Sequence, residues 1–248
     1  MIPLAMAVPG VLAAGAGLGA WAAMSPSSQL FGPTLRRAGR ADALALTFDD
    51  GPNPAITPRL LDLLEQHRAR ATFFLIGRFV RECPGLAREI AVRGHAIGNH
   101  TDTHPHLTWQ FPRRIAEELR RCSESIAQAA GARAEWMRPP YGHRGPQLEA
   151  VVRREGLRGV VMWSVIAWDW KPQPAARLIA RLRGVRGGDI LVLHDGDHRF
   201  LGGDRKHTLG ALEYWLPRWR DAGLEFVTIA GIADGKNPAP SAREGGRH

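Results

Sequence analysis

Short apolar runs rich in β-branched and aromatic residues alternate along this chain with longer stretches whose apolar residues recur every three or four positions. The first pattern is typical of buried strands and the second of amphipathic helices. Their alternation from residue 43 onward indicates an α/β fold with mostly parallel strands. The pattern predicts strands at residues 43–48, 71–76, 95–98, 135–137, 159–165, 190–193 and 225–228, and helices at 57–67, 84–93, 112–130, 147–155, 175–183 and 208–222.

The predicted helix at residues 112–130 has the clearest ends. Pro112 suits a first turn and Gly131 a C-terminal stop. Seven strands joined by crossover helices point to a barrel or a strongly curled sheet in a single domain at residues 43–230. We expect residues 25–42 to be a linker and residues 231–248 a solvated tail.

The first 24 residues show a different apolar pattern. Residues 2–24 carry no charged side chain, and this length could just cross a bilayer as a helix. A signal peptide usually has a Lys or Arg before its apolar region, and this chain has none there. The segment is therefore predicted to be a membrane anchor or an uncleaved signal-like segment. The alternatives are a wrongly assigned start codon and a buried N-terminal helix.

Charge and cysteine content narrow the choice of partners. Lys and Arg number 33 against 24 Asp and Glu, a net charge of +9 that favours acidic partners. The basic residues are scattered over predicted helix faces, as at Arg113 and Arg120, so we expect no nucleic-acid partner. Cys83 and Cys122 are too few for a disulfide framework. They are expected to be structural thiols, with a single disulfide as the alternative.

Polar side chains that could take part in catalysis or bind a metal lie at or just after the ends of predicted strands. The carboxyl ends of the strands form the active face of parallel α/β barrels. We therefore expect the following residues to meet there: Asp49, His100, Arg138, Asp169 and His194.

Two motifs suggest a metal site at this face. The run T-F-D-D-G-P places Asp49 and Asp50 side by side at a strand end, and adjacent strand residues face opposite ways. Two different roles are therefore expected, although an Asp pair before Gly is also an ordinary turn signal. In the run H-T-D-T-H-P, His100 and His104 can converge on one ion. With one carboxylate they would make an open, catalytic type of metal site, whereas the alternative for the His pair is a polar surface loop.

Three further motifs follow, R-P-P-Y-G from Arg138, W-D-W around Asp169 and L-V-L-H-D-G around His194. In this order the five motifs resemble the polysaccharide deacetylase family, also known as the NodB homology domain or carbohydrate esterase family 4. The resemblance covers about residues 43–230. It implies a distorted (β/α) barrel, usually of seven strands. It also implies a metal-dependent hydrolase that removes N-acetyl or O-acetyl groups from a poly- or oligosaccharide containing N-acetylglucosamine.

The resemblance also implies roles for the metal ligands and the base. Asp50, His100 and His104 would hold one divalent metal, with Zn²⁺ expected and Co²⁺ or another divalent ion as the alternative. Asp49 would be the general base, oriented by Arg138.

By the same resemblance, His194 would be the general acid and Asp169 would hold its imidazole. Tyr141 would offer its backbone N–H to the oxyanion. The substrate-binding residues would be Trp170, Val192 and Pro140.

Some positions depart from the family pattern. Ile166 stands where another Asp is common, and Val192 where Leu is common. These differences concern pocket shape and substrate preference. Trp163 is expected to pack in the core. Residues 196–207, rich in Gly and charge, are predicted to be either a substrate-covering loop or a solvated connection.

Two other functions fit parts of the pattern. Two His and one carboxylate also make the facial triad of iron-dependent oxygenases, and a catalytically inactive glycan-binding module is the third hypothesis. The glycan substrate favours a membrane-associated or cell-envelope location. Arg36, Arg37 and Arg40 follow the apolar segment, and the positive-inside rule would instead place the domain in the cytoplasm. The sidedness therefore stays open.

Overall fold

The structure is a computed structural model that describes residue 15 and residues 17–235. The predicted anchor segment lies mostly outside the described residues, as does most of the predicted solvated tail, residues 236–248. Within the described part of the chain, no helix combines the length and apolar character needed to span a bilayer. Residues 17–24 are helical, with Ala22 and Ala23 buried.

A nine-stranded sheet forms the centre of the molecule. The strands are β1 Thr34–Leu35, β2 Ala43–Gly51, β3 Ala71–Leu75, β4 Ala96–Asn99, β5 Trp136–Met137, β6 Gly159–Val161, β7 Val165–Ile166, β8 Ile190–His194 and β9 Glu225–Phe226. Their ladders are parallel, in the order β1-β6-β5-β4-β3-β2-β8-β7, and β9 pairs with the start of β2.

The two ends of the sheet are connected. Arg37, just after β1, makes an antiparallel bridge with Asp189, just before β8. Between β6 and β7, the Met162 N–H donates to Leu35 O (2.8 Å) and the Ser164 N–H to Ile190 O (3.0 Å). The expected distorted (β/α) barrel in a single domain is confirmed.

The expectation of seven strands was too low for two reasons. β1 lies in the predicted linker, where two residues give no readable alternation. The run at residues 159–165 divides into β6 and β7, because Met162 and Ser164 bond to different neighbours. The other predicted strands are present with small shifts at their ends.

Eight α-helices lie between residues 25 and 235. They are α1 Thr57–Gln66, α2 Gly77–Glu82, α3 Pro84–Val92, α4 Pro112–Ala130, α5 Leu148–Arg154, α6 Ala175–Arg181, α7 Lys206–Asp221 and α8 Ile229–Asp234. The pattern predicted six of them. It missed α2, which is too short for helical periodicity, and α8, which occupies the beginning of the predicted tail.

The ends of α4 confirm the sequence signals. Pro112 lies in its first turn, and Gly131 ends it in the left-handed conformation with φ of 62°. Cys122 on this helix is buried, and Cys83 after α2 is partly exposed. Both are free thiols, so the structure does not contain the alternative disulfide.

Strand β2 connects the hydrophobic core to the site. All nine of its residues are buried, and the ring of Phe48 stacks on that of Phe73 in β3 with centroids 5.1 Å apart. Burying each such side chain contributes on the order of 1.5–3 kcal/mol. β2 pairs with β3 on one side and β8 on the other, with Asp49 opposite His194. Its acidic end is therefore fixed at the centre of the C-terminal edge.

Candidate active site

The predicted site residues come together at the C-terminal edge of the sheet. Asp49 and Asp50 lie at the end of β2, and His194 ends β8. His100 follows β4 and Arg138 follows β5. Parallel strands bring their carboxyl ends to one edge, which is why side chains far apart in sequence line one cavity.

Asp50, His100 and His104 form a buried cluster that could hold a metal ion. Asp50 Oδ1 lies 3.5 Å from His100 Nε2 and 3.3 Å from His104 Nε2, and one possible ligand atom from each residue lies within 4.8 Å of the others. Among the described residues, no hydrogen-bond partner reaches Asp50 Oδ1. Because buried polar atoms are nearly always paired, this oxygen fits a bound cation.

The protonation of the cluster also fits a cation, which needs deprotonated ligands. Burial lowers the pKa of His104 to about 2, so its imidazole is neutral. Burial would raise the pKa of Asp50, but the imidazoles around it, first those of His100 and His198, outweigh burial and hold the pKa well below its ordinary value. The Nδ1 of His100 lies 2.8 Å from Arg138 O. Donation of its proton there leaves the lone pair on Nε2, towards Asp50.

The backbone of the site loops adopts unusual conformations. Six described residues other than glycine have positive φ, and each such residue costs about 1–3 kcal/mol. Five of the six lie at the C-terminal edge of the sheet, at the end of β2 or in segments that follow a strand: Asp50 (72°), Thr101 (67°), His104 (61°), Tyr141 (60°) and Trp168 (60°). The rest of the fold must therefore hold these loops in place.

Helix α4 provides much of this support through Glu118. The buried Glu118 carboxylate accepts hydrogen bonds from the N–H groups of Asp102 (3.0 Å) and Thr103 (2.8 Å) and from Thr103 Oγ1 (2.9 Å). Asp102 also pairs with Arg81 at 2.6 Å. The loop that carries His100 and His104 is thereby fixed against α2 and α4.

The two carboxylate oxygens of Asp49 have different surroundings. Its Oδ1 accepts a hydrogen bond from Arg138 Nη1 at 2.8 Å, and the same nitrogen donates to Thr47 Oγ1 at 2.8 Å. Arg138 is fully buried, and its other donors reach the carbonyls of Val161 (3.4 Å) and Met162 (3.3 Å). The second oxygen, Asp49 Oδ2, faces His100 Nε2 at 4.0 Å. One carboxylate oxygen is therefore directed at the metal cluster.

His194 and Asp169 form a dyad on the other side of the cavity. Asp169 Oδ1 lies 2.8 Å from His194 Nδ1, and Asp169 Oδ2 accepts from the His194 N–H (2.8 Å) and from Thr208 Oγ1 (2.9 Å). Burial alone would lower the pKa of His194, but the Asp169 carboxylate, helped by Asp50 and Asp49, raises it to about 9. At neutral pH this imidazole is cationic and can donate a proton.

These groups border a cavity of about 800 Å³. Trp170 lies edge-on to His194 with centroids 5.4 Å apart, and Trp168 packs beside it at 4.9 Å. Tyr141, Val192 and Ile166 also line the cavity. Pro140 is buried and is not one of the described lining residues, so the structure gives it no contact with the space proposed for substrate.

Several residues that border this cavity were not predicted for the site, and four of them show why. Trp163, expected only in the core, packs there and also lines the cavity. Met24 and Pro26 reach it because the Arg144 N–H donates to Ala23 O at 3.0 Å. His198, in the segment predicted as a cover or a connection, lies beside Asp50. The one sequence feature that could have identified His198 is its place in a Gly-rich run just after His194.

Fold and site together define a parallel α/β barrel with an open two-His-one-Asp cluster flanked by a carboxylate and a cationic imidazole. Residues 36–160 match the sequence model of a family described as polysaccharide deacetylase. The chain belongs to this family.

Curated relatives and solved structures agree with the family assignment. The chain is 37% identical over 210 residues to a chitooligosaccharide deacetylase of Azorhizobium caulinodans, covering 81% of this chain and 99% of the relative. It is 34% identical over 198 residues to the peptidoglycan-N-acetylglucosamine deacetylase PgdA of Listeria monocytogenes, covering 79% of this chain and 40% of the relative. A family 4 carbohydrate esterase from Streptomyces lividans, in complex with acetate, has a similar structure. Its TM-score is 0.70 at 30% identity, covering 80% of this chain and 98% of that chain.

Proposed function

We propose that this protein is a metal-dependent hydrolase that removes N-acetyl groups from an oligo- or polysaccharide containing N-acetylglucosamine. One observation carries the proposal: a cluster that could hold a cation, the Asp49 carboxylate and the imidazole of His194 bonded to Asp169 border the same cavity. Hydrolysis of an acetamide needs all three, because the carbonyl is a poor electrophile and the amine is a poor leaving group. The relatives named for deacetylation of chitooligosaccharide and of peptidoglycan N-acetylglucosamine support it.

Asp50, His100 and His104 are proposed to hold one divalent cation. Neutral imidazoles and a carboxylate suit Zn²⁺ first, and Co²⁺ or another divalent ion as an alternative. When bound, such an ion polarises the carbonyl and lowers the pKa of water towards about 7. This chain's own part is to present the three ligand atoms, and the Arg138 carbonyl fixes the ring of His100 among them.

Asp49 is proposed as the general base. Its Oδ1 is occupied by Arg138, so the proton of the attacking water would go to Oδ2, the oxygen facing the cluster. The guanidinium of Arg138 cannot turn away, because it is completely buried and bonded to Thr47 and two carbonyls. Arg138 is therefore proposed to orient the base.

His194 is proposed to protonate the leaving nitrogen. Its Nδ1 is bonded to Asp169, so the proton it gives up would come from Nε2. Asp169 fixes the ring and stabilises its charge. The backbone N–H of Tyr141, in the turn Pro140–Gly142, is proposed as the donor that stabilises the tetrahedral oxyanion.

The cavity walls suit an acetylated sugar. Trp170 and Trp168 offer aromatic faces to a pyranose ring, and Val192 and Ile166 offer apolar surface to an acetyl methyl group. Pro140, expected at this position by resemblance, is proposed only to shape the turn of Tyr141. O-acetyl esters would fit the same walls, and we propose them as secondary substrates.

The two other hypotheses lose support from the flanking groups. An oxygenase has no use for Asp49 and the Asp169–His194 dyad beside its metal. A glycan-binding module would not need a complete set of base, acid and ligands. We propose a cell-envelope location, where such glycans lie, and anchoring through residues 2–24 remains part of this proposal.

The direct test is acetate release by the full chain from chitooligosaccharides, peptidoglycan and O-acetylated xylan, after chelation and with Zn²⁺ or Co²⁺ added back. We expect release from the N-acetylglucosamine substrates, lost on chelation and restored by the metal. Undiminished release after exhaustive chelation would rule out the metal-dependent reaction. Reaction with xylan alone would restrict the enzyme to esters.

A further inference from the structure

The two imidazoles of the metal cluster are held in different ways. The His100 ring is fixed by the hydrogen bond between Nδ1 and Arg138 O at 2.8 Å. The corresponding atom of His104, Nδ1, has no hydrogen-bond partner among the described residues although it is buried. A metal-binding histidine is normally oriented through its second nitrogen. His104 must therefore be oriented by the groups that pack against its ring.

Two rings pack against His104. Tyr141 meets it edge-on, with centroids 4.6 Å apart and an interplanar angle of 71°. His198 stacks almost parallel to it, with centroids 4.3 Å apart and an angle of 17°. Stacking restricts the rotation of the His104 ring, because turning it would bring it into collision with His198.

His198 also lies beside the carboxylate of the cluster. Its Nδ1 is 3.6 Å from Asp50 Oδ2, the oxygen other than the one between the two ligand imidazoles. Its Nε2 is 3.4 Å from Tyr141 Oη. One side chain therefore contacts two of the three proposed ligands and the second ring that packs on His104.

The loop carrying His198 is firmly attached to the barrel. Asp197 pairs with Arg199 at 2.7 Å and with the buried Arg205 at 3.2 Å. Asn53 Nδ2, close to the end of β2, donates to Gly203 O at 2.8 Å, and Arg78 donates to the carbonyl of His198 itself. The two Asp197 pairs lie within the loop, and the bonds from Asn53 and Arg78 tie it to the end of β2, which carries Asp50, and to α2. His198 is therefore held in place by bonds that involve no metal.

We propose that His198 is a positioning residue of the metal site, which orients His104 by stacking and Asp50 through Oδ2. It is not one of the three clustered ligands, so we assign it no bond to the metal. The inference rests on the proposed function, since it takes Asp50, His100 and His104 as the ligands.

The test is the metal affinity of purified variants, measured by competition of the full chain with a chromophoric chelator for Zn²⁺. We expect His198→Ala to bind Zn²⁺ roughly 10- to 100-fold more weakly, as is usual when a group that orients a ligand is removed. His198→Phe keeps a ring against His104 and loses only the imidazole nitrogens, so its affinity should fall between those of the wild type and His198→Ala. The ligand-field absorption of the Co²⁺-loaded protein should change in His198→Ala, because the arrangement of the ligands is altered.

The matched control is His106→Ala. His106 is exposed and stacks on Tyr141, the other ring that packs against His104, with centroids 3.9 Å apart. Removing it should leave Zn²⁺ affinity and the Co²⁺ spectrum unchanged. Equal affinities in wild type and His198→Ala, or equal losses in His198→Ala and His106→Ala, would overturn the inference. A wild-type chain that binds no divalent metal would instead overturn the proposed function.

Discussion

Two histidine-aspartate groups border the cavity, and they differ in how far their polar atoms are hydrogen bonded. In the Asp169–His194 dyad, both carboxylate oxygens and the inner imidazole nitrogen are hydrogen bonded. In the metal cluster, Asp50 Oδ1 and His104 Nδ1 have no partner among the described residues. The dyad is thus complete as folded, whereas in the cluster Asp50 Oδ1 has a free lone pair that a bound cation would satisfy.

The same contrast appears in the charges. Burial lowers the pKa of both His104 and His194, but the results differ, at about 2 and about 9. Asp169 is hydrogen bonded to His194 at 2.8 Å and outweighs burial there. Asp50 lies farther from His104, at 3.3 Å, and does not. The close Asp169 carboxylate therefore makes the largest difference between a cationic His194, as the proposed acid requires, and a neutral His104, as the proposed metal ligand requires.

The largest effect should come from breaking the cluster. We expect His104→Ala to lose both bound metal and deacetylase activity, because two ligands leave too few donors for tight binding. Metal content per chain by elemental analysis, alongside acetate release, measures both. His106→Ala, which also removes a nearby imidazole, is the control. A His104→Ala protein that retained one metal per chain would remove His104 from the ligand set.

A smaller effect is expected from Asp49→Asn. The amide keeps the shape of the side chain and an oxygen for Arg138, but it cannot take a proton. Metal affinity should be retained while kcat falls by roughly a hundredfold or more. A metal titration together with steady-state kinetics tests this. Loss of metal with Asp49→Asn would exchange the roles of Asp49 and Asp50.

Sequence alone could place most of this site, because its parts are local signals at strand ends. Strand patterns positioned Asp49, His100 and Arg138 at one edge, and the barrel then brought them together. The family resemblance separated the role of Asp50 from that of Asp49. In the structure Asp49 is bonded to Arg138 and Asp50 faces the imidazoles, and the division of roles between them stays a prediction.

Other features depend on contacts that no local pattern encodes. β1 exists because two residues pair with β6, and nothing in its own sequence alternates. His198 meets His104 only because its loop is tied back by Arg78 and Asn53. Met24 lines the cavity because the backbone N–H of Arg144 is hydrogen bonded to the carbonyl of Ala23, the residue before Met24. Such positions are visible only once tertiary contacts are known.

The dyad can be tested by the choice of leaving group. His194→Ala should greatly reduce N-deacetylation of a chitooligosaccharide and spare much of the hydrolysis of an aryl acetate, because a phenolate leaves without a proton. Asp169→Asn should show a weaker form of the same selectivity. The comparison uses kcat/KM for both substrates with metal-loaded proteins. Equal losses on the two substrates would mean that His194 acts in binding or oxyanion stabilisation.

The smallest expected effect is the pH dependence of stability that the dyad creates. The pKa of His194 is about 9 in the folded protein and 6.5 as its ordinary value. A pKa raised by folding gives stability that is complete below about pH 6.5 and is lost as the pH rises through about 9. At about 1.4 kcal/mol per pKa unit, the whole contribution is roughly 3 kcal/mol, part of it from Asp49 and Asp50.

Asp169→Asn should therefore lower the free energy of unfolding more at about pH 6 than at about pH 10, as measured by urea denaturation of metal-free protein. Thr208→Val, which removes a neutral hydrogen bond to the same carboxylate, should have a cost that depends much less on pH. If Asp169→Asn cost the same at both pH values, Asp169 would not raise the pKa of His194, and the proposed source of its positive charge would be wrong.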